Sequence, residues 1–162
     1  MKKSLSAVLL SAALLSACGD DSSKPSSVVD EEGCEHLQKG PGVSLSAVRE
    51  GTGPAVSNDH KRYDIALQEV AGGKGGAVSF AVTAAEDYVL FTNVDVPVTV
   101  TTSGGQVVEA EAHATSSESC TDIRGRHVVP LGVGTHTLTF GPTTVGQVSL
   151  VIEESGEHEH AH

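Results

Sequence analysis

The chain has 162 residues, a formal net charge of −11 with histidine neutral, 3% aromatic residues and no tryptophan. That length suits one domain with a single core and not comfortably two. The acid excess argues against nucleic acid as a partner and against lying flat on anionic lipid, and so few rings disfavour sugar binding by stacking.

The first segment carries Lys2 and Lys3 and then an apolar run over residues 5–15. The run is far shorter than the ~20 residues a bilayer-crossing helix needs, so residues 1–17 read as an export signal; the plainer alternative is a short buried helix followed by a chance cysteine. Leu15-Ser16-Ala17-Cys18 resembles the lipobox of bacterial lipoproteins. The resemblance implies that Cys18 is diacylated with palmitate-type chains and becomes the mature N-terminus, acylated there too. Each buried CH2 contributes about 0.8 kcal/mol, so two chains anchor stably where one does not. By analogy with enterobacterial sorting, Gly19 after the cysteine favours the outer membrane, facing the periplasm or the cell surface, although Asp20 follows at once.

Residues 19–32, GDDSSKPSSVVDEE, are polar and turn-forming and bury little, so residues 18–33 are expected to be the lipidated cysteine and a disordered tether. With Cys18 lipidated, Cys34 and Cys120 remain as a pair in an oxidising exterior and are expected to form a disulfide, worth about 4 to 5 kcal/mol in the chain-entropy description. The competing arrangement is a Cys2His2 metal site with His36 and His113, whose spacing does not resemble a zinc finger.

Residues 34–154 show a periodicity of two. Tyr63, Ile65 and Leu67 alternate with small or polar residues, as do Val78, Phe80 and Val82, then Val96, Val98 and Val100, then Val148, Leu150 and Ile152, the pattern of half-buried strands. Glycine-rich turns at residues 72–76, 103–105, 132–134 and 141–142 separate them. The expectation is an all-β antiparallel sandwich of about eight strands with its five rings in the core. The order Y-x-I-x-L, glycine turn, V-x-F-x-V, D-Y-V-L-F and late G-T-H-T-L-T-F resembles the jelly-roll-like modules of secreted bacterial proteins, which implies that fold and no particular activity.

Residues 155–162 form a histidine-rich tail, expected to be disordered. His158, Glu159 and His162 match H-E-x-x-H in letters, but that motif works on a helix with a third ligand elsewhere, and Gly156 precedes the segment. The tail reads instead as a tract whose His158, His160 and His162 can converge on Zn, Cu or Ni, or as a solvated end that binds nothing. His60, beside Asp59, could meet His36 or Glu35 if the N-terminal segment folds over that sheet edge, making His36 and His60 a second candidate metal pair. His127 and His136 are expected on one hairpin, with Leu131 opposite His136 and His127 opposite Phe140, some 13 Å apart and each bonded to backbone.

No Gly-x-Ser-x-Gly turn and no P-loop order occurs, so no catalytic residue is assigned. The leading expectation is a lipid-anchored, non-catalytic β-sandwich that binds or organises other envelope components, including an envelope protein partner, and requires no cofactor. The alternative is an envelope metal-binding lipoprotein that takes Zn, Cu or Ni through its histidines.

Overall fold

The computed structural model describes residues 26–155. Helix α1 (Ser26–Lys39) comes first, followed by β1 (Gly42–Ser46), β2 (Ala55–Val56), β3 (Arg62–Ala66), β4 (Gln68–Val70), β5 (Gly73–Val82), β6 (Glu86–Thr92), β7 (Val98–Thr102), β8 (Val107–Val108), β9 (Ala112–Ala114), β10 (Gly125–Leu131), β11 (Gly134–Thr143) and β12 (Gln147–Glu154). One six-stranded sheet runs β1-β3-β12-β6-β10-β9; the other runs β2-β5-β11-β7-β8, with β4 added on β5. The two sheets form a sandwich-like pair, and the alternating residues read from the sequence, Tyr63, Ile65, Val78, Phe80, Val148, Leu150 and Ile152 among them, meet in the core between them. All five rings are buried.

Five expectations are corrected. The described residues hold twelve strands, not eight, because short edge segments such as β2, β4, β8 and β9 carry too few residues to show a period. The sheets are mixed, since β1 runs parallel to β3 and β2 parallel to β5. The expected β10–β11 hairpin is absent: β10 pairs with β6 and β9, and β11 with β5 and β7. The chain therefore crosses from one sheet to the other at residues 132–133, which puts His127 and His136 in different sheets. Gly73, Gly75 and Gly76 lie in β5 rather than in a turn, and neighbours leave little room for side chains there: a Cβ on Gly75 would lie 2.5 Å from the Phe140 carbonyl oxygen, and one on Gly76 2.8 Å from Ala47 Cβ.

The fifth correction concerns the expected tether at 18–33, whose described part belongs to α1. With mostly polar residues and a central glycine this segment has little reason to be helical alone; its docking on the outer face of the first sheet supplies the reason. Val29, Gly33 and Leu37 recur four apart, and Val29 and Leu37 pack with Val89 and Phe91 of β6, Val151 of β12 and Ile123. Gly33 sits so close to Phe91 that a Cβ would lie 2.4 Å from its ring. The expected disulfide is present: Cys34 and Cys120 are bonded, 5.8 Å apart at Cα, tying α1 to the segment before β10. Buried Asp30 accepts hydrogen bonds from Arg126 Nε at 2.7 Å and Ser117 Oγ at 2.5 Å. At the other end Arg62 Nη1 donates to the Leu37 carbonyl at 3.2 Å, a cation where the helix dipole is negative.

Gly33→Ala separates docking from propensity. An undocked helix would gain up to ~1 kcal/mol from alanine, whereas the crowded contact with Phe91 is expected to cost about 1–3 kcal/mol; urea denaturation reads the sign.

Candidate metal centre

Three segments remote in sequence converge where α1 ends on the sheet. α1 carries His36 in its last turn, ahead of Gly40, whose N–H donates to the His36 carbonyl at 2.9 Å. β12 sends Val148, Leu150 and Ile152 into the sandwich core, so its alternate positions Ser149, Val151 and Glu153 face the helix side. His60 sits in the short connection between β2 and β3 with φ of 59°, the left-handed region that few side-chain-bearing residues adopt. That loop is held by its own polar groups: Ser57 Oγ lies 2.7 Å from Asp59 Oδ1 and 2.6 Å from Tyr63 Oη, and Tyr63 Oη donates to Asp59 Oδ1 at 3.1 Å.

The outcome is a carboxylate set between two imidazoles. His36 Nδ1 lies 2.5 Å from Glu153 Oε1, and His60 Nδ1 lies 3.7 Å from Oε2. The two imidazole centroids are 4.7 Å apart, and one donor atom from each of the three residues fits within 4.8 Å of the others. Glu153 is 4% exposed, while the side chains of His36 and His60 are 21% and 42% exposed, so the cluster has a buried floor and an open front. Burial pushes the Glu153 carboxyl up; the hydrogen bond and charge of His36 and the charge of His60 pull it back, and Glu32 adds to the rise. The neighbouring polar groups fix the same face: Arg62 and Ser149 Oγ both bond Asp64, and Asn58 Nδ2 donates to Glu154.

Two imidazoles and one carboxylate form a donor set suited to zinc, with a position left for a further ligand. Donors 2.0–2.1 Å from a tetrahedral ion stand about 3.4 Å from one another. The His60–Glu153 distance is already near that value, and the widest separation closes by about 1.4 Å. His60 is the most exposed of the three. Copper or nickel also suits imidazole, whereas calcium and magnesium prefer all-oxygen shells.

The pairing of His36 with His60 follows the expected fold-over of the N-terminal segment; Glu35 is exposed and bonds Lys39 instead. Glu153 is the member of the cluster that the sequence reading missed. Its signal was the apolar Val151 two residues before it, on the strand face that alternation assigns to solvent. The Cys2His2 arrangement is excluded by the disulfide. His113 lies instead on β9 opposite His127, with ring centroids 4.6 Å apart. His127 and His136 are both buried, but His127 Nε2 and His136 Nδ1 have no hydrogen-bond partner among the described residues, contrary to the backbone bonds expected. Cys18 and the tail histidines His158, His160 and His162 lie outside the described residues. No known family model matches the chain, and no curated protein matches it.

His127 gives a pH test of this packing. Its imidazole is pushed down to about 4, first by burial and then by His113, against the opposing pull of Asp95. The unfolded chain gains a proton near pH 6.5 that the folded protein refuses until near pH 4, so this stability is present above about 6.5 and lost as pH falls through that window. His127→Leu is expected to lose less stability between pH 7 and 4.5 than the parent, by on the order of 2 kcal/mol, measured by denaturant titration at each pH.

Proposed function

We propose that this protein captures a divalent transition metal, zinc or copper in class, at His36, His60 and Glu153. The observation that carries the reading is the nearly inaccessible Glu153 carboxylate held against two imidazoles from separate segments. Burying an ionisable carboxyl is costly unless something compensates, and a bound cation compensates more fully than two imidazoles. The role proposed is binding rather than turnover: the sequence has no Gly-x-Ser-x-Gly turn, and both described cysteines are spent in the disulfide.

The module is further proposed to work at the bacterial envelope, held by lipid on Cys18 and positioned at the outer membrane. Support comes from Lys2 and Lys3, the apolar run over residues 5–15 and the Leu15-Ser16-Ala17-Cys18 sequence that ends it, together with a disulfide of the sort that persists in oxidising compartments. Among the described residues no helix is long and apolar enough to cross a membrane.

Zinc at a hundred times its Kd is expected to stabilise the folded protein by about 2.7 kcal/mol, and His36→Ala, His60→Ala or Glu153→Gln is expected to abolish the rise in Tm. Without metal, the raised Glu153 pKa favours the folded state below the unfolded value, and that contribution is lost as pH rises through the folded value. Glu153→Gln copies the neutral form, so at pH 7 the metal-free variant is expected to be as stable as the parent or more stable. Calorimetry with and without zinc checks both halves; a lower metal-free Tm, or an undiminished zinc response, contradicts them.

For the anchor, cells given labelled palmitate are expected to label the parent protein and not Cys18→Ala, which moves to the soluble fraction. Labelling of both, or of neither, contradicts the anchor.

A further inference from the structure

Three rows of side chains along α1 meet three different surroundings. Val29, Gly33 and Leu37, four apart, face the sheet. At 3.6 residues per turn, Asp30 and Cys34 turn to one flank of that stripe, where Asp30 bonds Arg126 and Cys34 bonds Cys120. Glu32 and His36 turn to the opposite flank, and there His36 meets Glu153. Exposure follows the same division: Glu32, Cys34 and His36 are half-buried, whereas Glu31 and Glu35, on the side of the helix away from the sheet, are exposed.

Glu32 and His36 are therefore neighbours one turn apart on the flank that looks toward the cluster, with the Cβ separation of about 5–6 Å that this spacing gives in a helix. Glu32 is near enough to Glu153 for its negative charge to oppose that of the buried carboxylate. In the metal-free protein the arrangement is unfavourable, since a second acid stands beside a carboxylate already withdrawn from water. A cation in the cluster turns both charges into attractions. Glu32 is not one of the three residues whose donor atoms lie within 4.8 Å of one another, which places it in the next layer out. Zinc on two imidazoles and one carboxylate takes a further ligand, and a water about 2.1 Å from the ion reaches an acceptor about 2.7 Å beyond it through one hydrogen bond.

We propose that the fourth ligand of the metal is a water and that the Glu32 carboxylate accepts its hydrogen bond, which makes Glu32 a positioning residue of the centre. This rests on the metal-binding reading above. α1 then contributes two groups from one flank, an imidazole that binds the ion and a carboxylate that orients the water. With neutral imidazoles the two carboxylates balance the charge of a dication, so the ligand class is zinc or copper(II) rather than copper(I).

The test is a zinc titration of the full chain against a chromophoric competitor, with melting curves of the metal-free proteins alongside. Glu32→Gln removes the charge and keeps the size and helix propensity of the side chain. Glu31→Gln removes the same charge from the outward side of the same helix. Support is at least a tenfold loss of zinc affinity in Glu32→Gln, the effect of an outer-layer partner, with Glu31→Gln within about twofold of the parent because salt screens an exposed charge, and with the metal-free Tm of Glu32→Gln no lower than the parent's. A smaller loss in Glu32→Gln overturns the inference; the three-residue centre stands if His36→Ala and Glu153→Gln still lose zinc. Equal losses in Glu32→Gln and Glu31→Gln also overturn it, since net charge alone then accounts for them. So does a loss in Glu32→Gln that comes with a lower metal-free Tm, which makes Glu32 a support of the helix. If His36→Ala and Glu153→Gln titrate like the parent, the metal-binding reading fails and this inference fails with it.

Discussion

The docking of α1 on the outer face of the first sheet is the constraint from which the candidate centre follows. A helix with so few apolar residues and a central glycine does not hold itself together in water. It is held by Val29 and Leu37 against Val89, Phe91 and Val151, by Asp30 bonded to Arg126, and by the Cys34–Cys120 bond. That bond closes a loop of 86 residues in sequence, worth about 4 to 5 kcal/mol through the restricted unfolded chain. Two consequences reach the site: His36 is placed one half-turn beyond Cys34, and the outer face of β12 is covered, which removes Glu153 from water.

The local costs of the fold gather at the same place. A carboxylate is buried, and a histidine with φ of 59° is held in a loop bonded through Ser57, Asp59 and Tyr63. Neither feature helps the sandwich, whose core of valine, leucine, isoleucine and rings lies on the other side of β12 and β3. Strain and buried charge persist where the surrounding structure determines them, and they gather at functional sites. An open-fronted pair of imidazoles over a buried carboxylate is the geometry in which a cation recovers what the metal-free fold gives up.

Much of this was legible in the residues, and the gaps have identifiable causes. Alternation at Tyr63 to Leu67, Val78 to Val82 and Val148 to Ile152 correctly marked strands with one face in a core, and the cysteine pair was read from compartment and number. What misled was the assumption that the other strand face meets water. Tyr88, Val89, Leu90 and Phe91 are all buried, as are Val148 through Glu153. Strands apolar at both parities are covered on both faces, and that signal called for an extra layer which the polar segment at 26–39 did not advertise. The helix was missed because tertiary contacts, not propensity, make it helical. The same error hid Glu153, which the helix buries. His36 and His60 were recognised as candidates because a fold-over of the N-terminal segment would bring them together; His113 entered only through the competing Cys2His2 arrangement, and its pairing with β10 places it opposite His127.

The most direct measurement of the central claim is anomalous diffraction at the zinc edge from crystals of the zinc-loaded protein. A single strong peak within bonding distance of His36, His60 and Glu153, with α1 docked and the disulfide intact, is the expected result. Zinc located elsewhere, with His36 and His60 still resting against Glu153 as they do without metal, would contradict it.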